Sequence, residues 1–109
     1  MIVNNKIKID KDITEKIILL AERAKSFLSY EKVILYGSYS RGDIREYSDI
    51  DVAFIVDGVK GNYLDLSAKL YELVDKIDNR IEPVILNKNH DRSGFLSKIL
   101  REGKVIYSI

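Results

Sequence analysis

Two short runs, "KVILY" at residues 32–36 and "DIDVAFIV" at residues 49–56, constrain this chain more than any other feature, because they are apolar at nearly every position. A strand with one wet face alternates apolar and polar residues, whereas an unbroken apolar run has to be covered on both faces. The rest of the chain must therefore supply helices to a sheet. The segment "KDITEKIILLAERAKSFLSY" places Ile13, Ile17, Leu20, Ala24, Phe27 and Leu28 near helical spacing, and Asp12 with Glu15 resembles a capping box. "NYLDLSAKLYELVDKI" carries Leu66, Leu70, Leu73, Val74 and Ile77 on one helical face, with Asn62 placed to cap it.

"RIEPVIL" reads as a third strand. Its Pro83 cannot donate to a ladder, so that strand is expected at an edge of the sheet or interrupted there. A last helix over residues 92–102 should end at Gly103, after which "KVIY" could add a closing strand. The order α-β-(turn-helix)-β-α-β-α-β predicts an α/β (α+β) fold, a mixed sheet of about four strands with helices packed against it. At 109 residues the chain is expected to be one domain, 1–109, with a single core.

Charge and composition exclude several classes of function. The 18 Lys and Arg against 17 Asp and Glu leave a net charge of +1, which gives no support to extended nucleic-acid binding. With no cysteine there is no disulfide, thiolate zinc site or cysteine nucleophile, and His90 alone cannot build a histidine metal site. No segment approaches the roughly 18 apolar residues of a membrane span, so no membrane association and a cytoplasmic location are expected.

The chemistry concentrates between Gly37 and Asp51. Gly37 follows a buried strand and lets the backbone turn tightly; a helix beginning at Tyr39 would aim free N–H groups and the Ser38 hydroxyl at phosphate oxygens. Gly37-Ser38 could equally be a simple strand exit. In a strand, Asp49 and Asp51 share one face, where two close carboxylates repel unless a cation sits between them. Oxygen-only ligands of this kind suit Mg²⁺, although a solvated strand end would also tolerate the pair. Glu82, on the neighbouring predicted strand, could converge on the same ions or could be an edge charge that discourages aggregation.

Together these parts are more specific. Gly37-Ser38, ten intervening residues, Asp49-x-Asp51, and an acid on a strand about thirty residues later resemble the nucleotidyltransferases of the polymerase-β superfamily. The compact size resembles the minimal nucleotidyltransferase branch, commonly the antitoxin half of a pair with a HEPN-class toxin. The resemblance implies that Gly37 and Ser38 hold nucleotide phosphates, with Arg41 close enough to touch them. It implies that Asp49 and Asp51 bind two catalytic Mg²⁺ ions, and that Glu82 is a third catalytic acid, as metal ligand or base, where family members often carry Asp. The implied reaction is transfer of AMP from ATP to a protein hydroxyl, a tyrosine of the cognate HEPN toxin. The alternative is a non-catalytic antitoxin or nucleotide-binding subunit that neutralises its partner by occlusion.

Overall fold

The two apolar strands form the middle of a four-stranded sheet. The computed structural model describes residues 11–37 and 49–109. In chain order these form helix α1 (Lys11–Ala24), strands β1 (Lys32–Tyr36) and β2 (Ile50–Val56), helix α2 (Tyr63–Ile77), strand β3 (Ile81–Asn87), helix α3 (Phe95–Glu102) and strand β4 (Lys104–Ser108). The strand order is β3-β2-β1-β4, with β1 antiparallel to both β2 and β4, and β2 parallel to β3. Parallel neighbours cannot be joined by a tight turn, so α2 serves as the crossover between β2 and β3. Pro83 lies on the edge strand β3, where its missing N–H costs no pairing on the open side, and the strand runs through it uninterrupted.

Strand alternation divides the core in two. On one face Leu35, Val52 and Phe54 pack with Ile17 and Leu20 of α1 and Leu70 of α2. On the other, Ile34, Ala53 and Ile55 pack with Leu96 and Ile99 of α3, and Tyr36, Val84 and Leu86 lie against them. Ile17 and Leu20 are fully buried, each worth about 1.5–3 kcal/mol of transfer free energy. Asn62 caps α2 as expected, its Oδ1 accepting from the N–H groups of Leu64 (2.8 Å) and Asp65 (3.3 Å).

Three local expectations shift. α1 ends at Ala24 instead of running on through Leu28, yet Leu28 donates to the Ala24 carbonyl (2.9 Å) and is buried. The turn keeps the helical spacing because its apolar residues pack onto the same core, with the Tyr30 hydroxyl donating to the Ala21 carbonyl at 2.5 Å. Asp12 stands in the first turn of α1 rather than ahead of it, and pairs with Lys16 one turn on, at 3.0 Å. α3 begins at Phe95 rather than at 92, because the Asp91 carboxylate accepts from Leu96 N (2.8 Å) and Ser97 N (3.0 Å) and holds the chain in a turn ahead of the helix.

Gly103 does end α3, though not through a left-handed backbone, since its φ is −83°. A Cβ there would come within 2.6 Å of Ile34 Cγ2 and 2.9 Å of the Leu35 carbonyl, so the glycine permits close packing of α3's end on β1. Among the described residues no helix is long and apolar enough to cross a membrane.

Candidate active site

The end of β1 meets the start of β2 and β3. Antiparallel pairing sets Tyr36 opposite Asp51, and parallel pairing sets Asp51 opposite Glu82, so Tyr36, Asp51 and Glu82 form one row across three strands. Residues paired in register project to one face of a sheet. Among the described residues that face carries α3, because Ile50 and Val52 turn into the core beneath α1 and α2 on the other. Alternation along the strand therefore buries the apolar residues of "DIDV" and delivers its second acid to the face that carries α3.

Gly37 stands directly after Tyr36 with φ +73°, in the left-handed region that favours glycine. A Cβ at this position would overlap the Asp51 carboxylate. The backbone turn and the acid are thus packed against each other, which requires glycine on steric as well as conformational grounds. Asp49 lies one residue ahead of β2 and is exposed, Asp51 is half-buried, and Glu82 is exposed on the edge strand. The Tyr71 hydroxyl of α2 donates to Glu82 Oε2 at 3.4 Å.

Tyr36 reports the electrostatics of the row. Burial, then the negative charges of Asp51 and Glu82 and the nearby Tyr71, push its hydroxyl up to about 12, so it stays a neutral phenol. Its ring packs edge-on against Phe95 of α3, with centroids 5.7 Å apart. Asp51 and Glu82 stand on neighbouring strands, about 4.8 Å apart in the sheet direction. Among the described residues, no three acidic or histidine side chains are gathered as a metal-binding group. The donor set is nonetheless carboxylate-only and placed at one strand end, a chemistry that fits a hard divalent cation.

One structural device secures this end of the sheet. Asp78, at the close of α2, accepts from Arg80 Nε (3.0 Å), Arg80 Nη2 (2.6 Å) and Lys16 Nζ (3.0 Å). The Arg80 guanidinium, helped by Lys16, holds the Asp78 carboxyl well below the usual carboxylate range. This network ties α1 to the turn that leads into Ile81 and Glu82.

Of the residues singled out from sequence, Gly37, Asp49, Asp51 and Glu82 fall at this strand end; Ser38, Tyr39 and Arg41 lie outside the described residues. Sequence reasoning missed Tyr36 and Tyr71. Tyr36 could have been found, since it immediately precedes the Gly-Ser turn. Tyr71 could not, because only the crossover brings the middle of α2 beside Glu82.

The model of the family "Polymerase beta, Nucleotidyltransferase" matches residues 15–109. A protein of Methanocaldococcus jannaschii, provisionally named a protein adenylyltransferase, is 38% identical over 79 residues, spanning 71% of this chain and 78% of its own. Among solved structures, a chain of a toxin–antitoxin complex with AMP-PNP superposes with a TM-score of 0.60 at 22% identity, over 88% of this chain and 73% of that one. A complex of a tri-AMPylated Shewanella oneidensis HEPN toxin with MNT antitoxin gives 0.54 at 20% identity, over 88% and 70%. At such identities the structural likeness speaks for the fold. The sequence match, which runs from α1 to the last residue and takes in the Gly37 turn and all three acids, goes further: this chain belongs to the polymerase-β nucleotidyltransferase family.

Proposed function

We propose that this chain is a single minimal nucleotidyltransferase domain that moves AMP from ATP to a hydroxyl of a partner protein, a tyrosine of a HEPN-class toxin, and so acts as an antitoxin in the cytoplasm. The observation that carries this reading is the junction of Gly37 with Asp51, in register with Glu82, inside a chain of this family. The M. jannaschii relative bears a protein adenylyltransferase name, and the S. oneidensis complex contains a tri-AMPylated toxin, which supports the choice of a protein acceptor.

Asp49 and Asp51 would hold two Mg²⁺ ions, with Glu82 as the third acid, adding a ligand or taking the acceptor's proton. Bound there, Mg²⁺ supplies charge neutralisation for the triphosphate and alignment of its α-phosphorus. The protein's own part is positional. Gly37 brings backbone up against Asp51, so that phosphates held at Gly37 would lie next to that acid; by the family resemblance Ser38 and Arg41 would share in holding them. The acceptor oxygen forms a bond to the α-phosphorus as the bond to the β-phosphate oxygen breaks. Pyrophosphate leaves with the electron pair, and the hydroxyl proton passes to a carboxylate of the site. The exposed side chains of Asp49 and Glu82 would let a partner present that hydroxyl to the row.

The test incubates the chain with α-labelled ATP, Mg²⁺ and a lysate of its host, and follows label on protein. Label on a discrete band with wild type, absent with the Asp49→Asn/Asp51→Asn double variant, is expected. Equal labelling by the double variant would remove the metal site. Neutralisation of the partner by wild type without any label transfer would favour occlusion instead.

A further inference from the structure

We infer that Tyr71 is a positioning residue for the transfer reaction, its hydroxyl holding the Glu82 carboxylate at the edge of β3 in the direction from which it serves the acid row; this inference rests on the reading above. The contact itself is direct, Tyr71 Oη to Glu82 Oε2 at 3.4 Å. What gives it meaning is where each partner stands.

Glu82 belongs to an edge strand and is exposed. A glutamate in that setting has three side-chain torsions and little burial to choose among its rotamers, whereas a reacting carboxylate has to be held close to one geometry. Asp51, by contrast, is half-buried on a central strand and packed against Gly37. The row therefore contains one acid ordered by packing and one that needs an external hold. Tyr71 provides it. A single hydrogen bond engages one carboxylate oxygen and leaves the second for the chemistry.

The tyrosine has no competing explanation in the core. α2 turns Leu66, Leu70 and Val74 inward, while Tyr71 is 45% exposed. Its ring is carried on the helix that joins β2 to β3, so the phenol is fixed relative to both strands of the acid pair. A hydroxyl on a rigid crossover helix is a better fulcrum than one on a loop.

The experiment uses the full chain, α-labelled ATP, Mg²⁺ and desalted host lysate as the source of acceptor, and compares wild type, Tyr71→Phe, Glu82→Asp and the double variant. Tyr71→Phe keeps the ring and removes only the hydrogen bond; Glu82→Asp keeps the acid but withdraws it from the hydroxyl. Tyr71→Phe should lower the maximal transfer rate about tenfold, the scale of a modest misplacement of a reacting group, with the ATP KM within about twofold and the melting temperature unchanged. In the Glu82→Asp background the same substitution should change the rate by less than about twofold, because the coupled partner is already gone. A wild-type rate in Tyr71→Phe, an equal loss in both backgrounds, or a loss confined to KM would overturn the inference. Absence of transfer by wild type would instead sink the nucleotidyltransferase reading, and Tyr71's role with it.

Discussion

The two faces of the sheet are built by the same alternation and end in opposite conditions. Beneath α1 and α2, β1, β2 and β3 contribute a core that includes Leu35, Val52, Phe54 and Ile81, all essentially inaccessible. Beneath α3 the strands contribute Ile34, Ala53 and Ile55, and at the end of that face they present Tyr36, Asp51 and Glu82, the first two half-buried and the last exposed. Closely set carboxylates are costly to bury, and here Asp51 is half-buried and Glu82 exposed. One face carries the stability, and the other can keep charges side by side because the first makes up their cost.

That division can be broken by substitution. The largest effect is expected from Asp51→Asn, which should reduce transfer about a thousandfold, or ~4 kcal/mol of transition-state stabilisation, while changing folding stability by under about 1 kcal/mol. Label-transfer rates and a urea melt of the same sample check both halves. Large destabilisation by this variant would mean that the acid row is structural after all. Leu20→Ala, on the covered face, should do the reverse: about 3 kcal/mol of stability lost, with transfer per folded molecule retained.

Asp78→Asn falls between these two. Removing the carboxylate that joins Arg80 and Lys16 should cost about 2 kcal/mol at neutral pH. The folded-state pKa of Asp78 is depressed below its ordinary 3.8, so its contribution is fully present above that value and is lost as pH falls through the depressed one. Stability curves of wild type and Asp78→Asn should therefore converge as the pH drops below about 3.8, and a constant gap down to strong acid would contradict the assignment. The smallest effect is expected from Asn62→Ala. It should lower stability by about 1 kcal/mol through the lost α2 cap and leave transfer untouched, because the cap lies at the end of α2 away from Ile81 and Glu82.

The legible parts of this molecule were those set by local periodicity. The apolar continuity of "KVILY" and "DIDVAFIV" announced central strands, Asn62 announced the start of α2, and Pro83 announced an edge. The misjudged boundaries were those where a distant contact decides: Leu28 keeps helical spacing outside the helix because it packs on the same core, and Asp91 caps α3 from four residues ahead of Phe95. At the candidate site, Gly37, Asp49, Asp51 and Glu82 could be named from spacing and residue type. The contact of Gly37 with Asp51, the register of Asp51 on Glu82 and the reach of Tyr71 could not, since each joins residues separated by 11 to 31 positions.

Sequence alone determined which residues are acids, which are small enough to let a backbone approach, and which faces of the elements are apolar; those are properties of side chains and of the periods 2 and 3.6. Only the tertiary structure decided that the parallel crossover through α2 sets Glu82 beside Asp51 and Tyr71 beside Glu82. Strand order, register and crossover depend on how distant segments pack into one core, and no local pattern encodes that outcome.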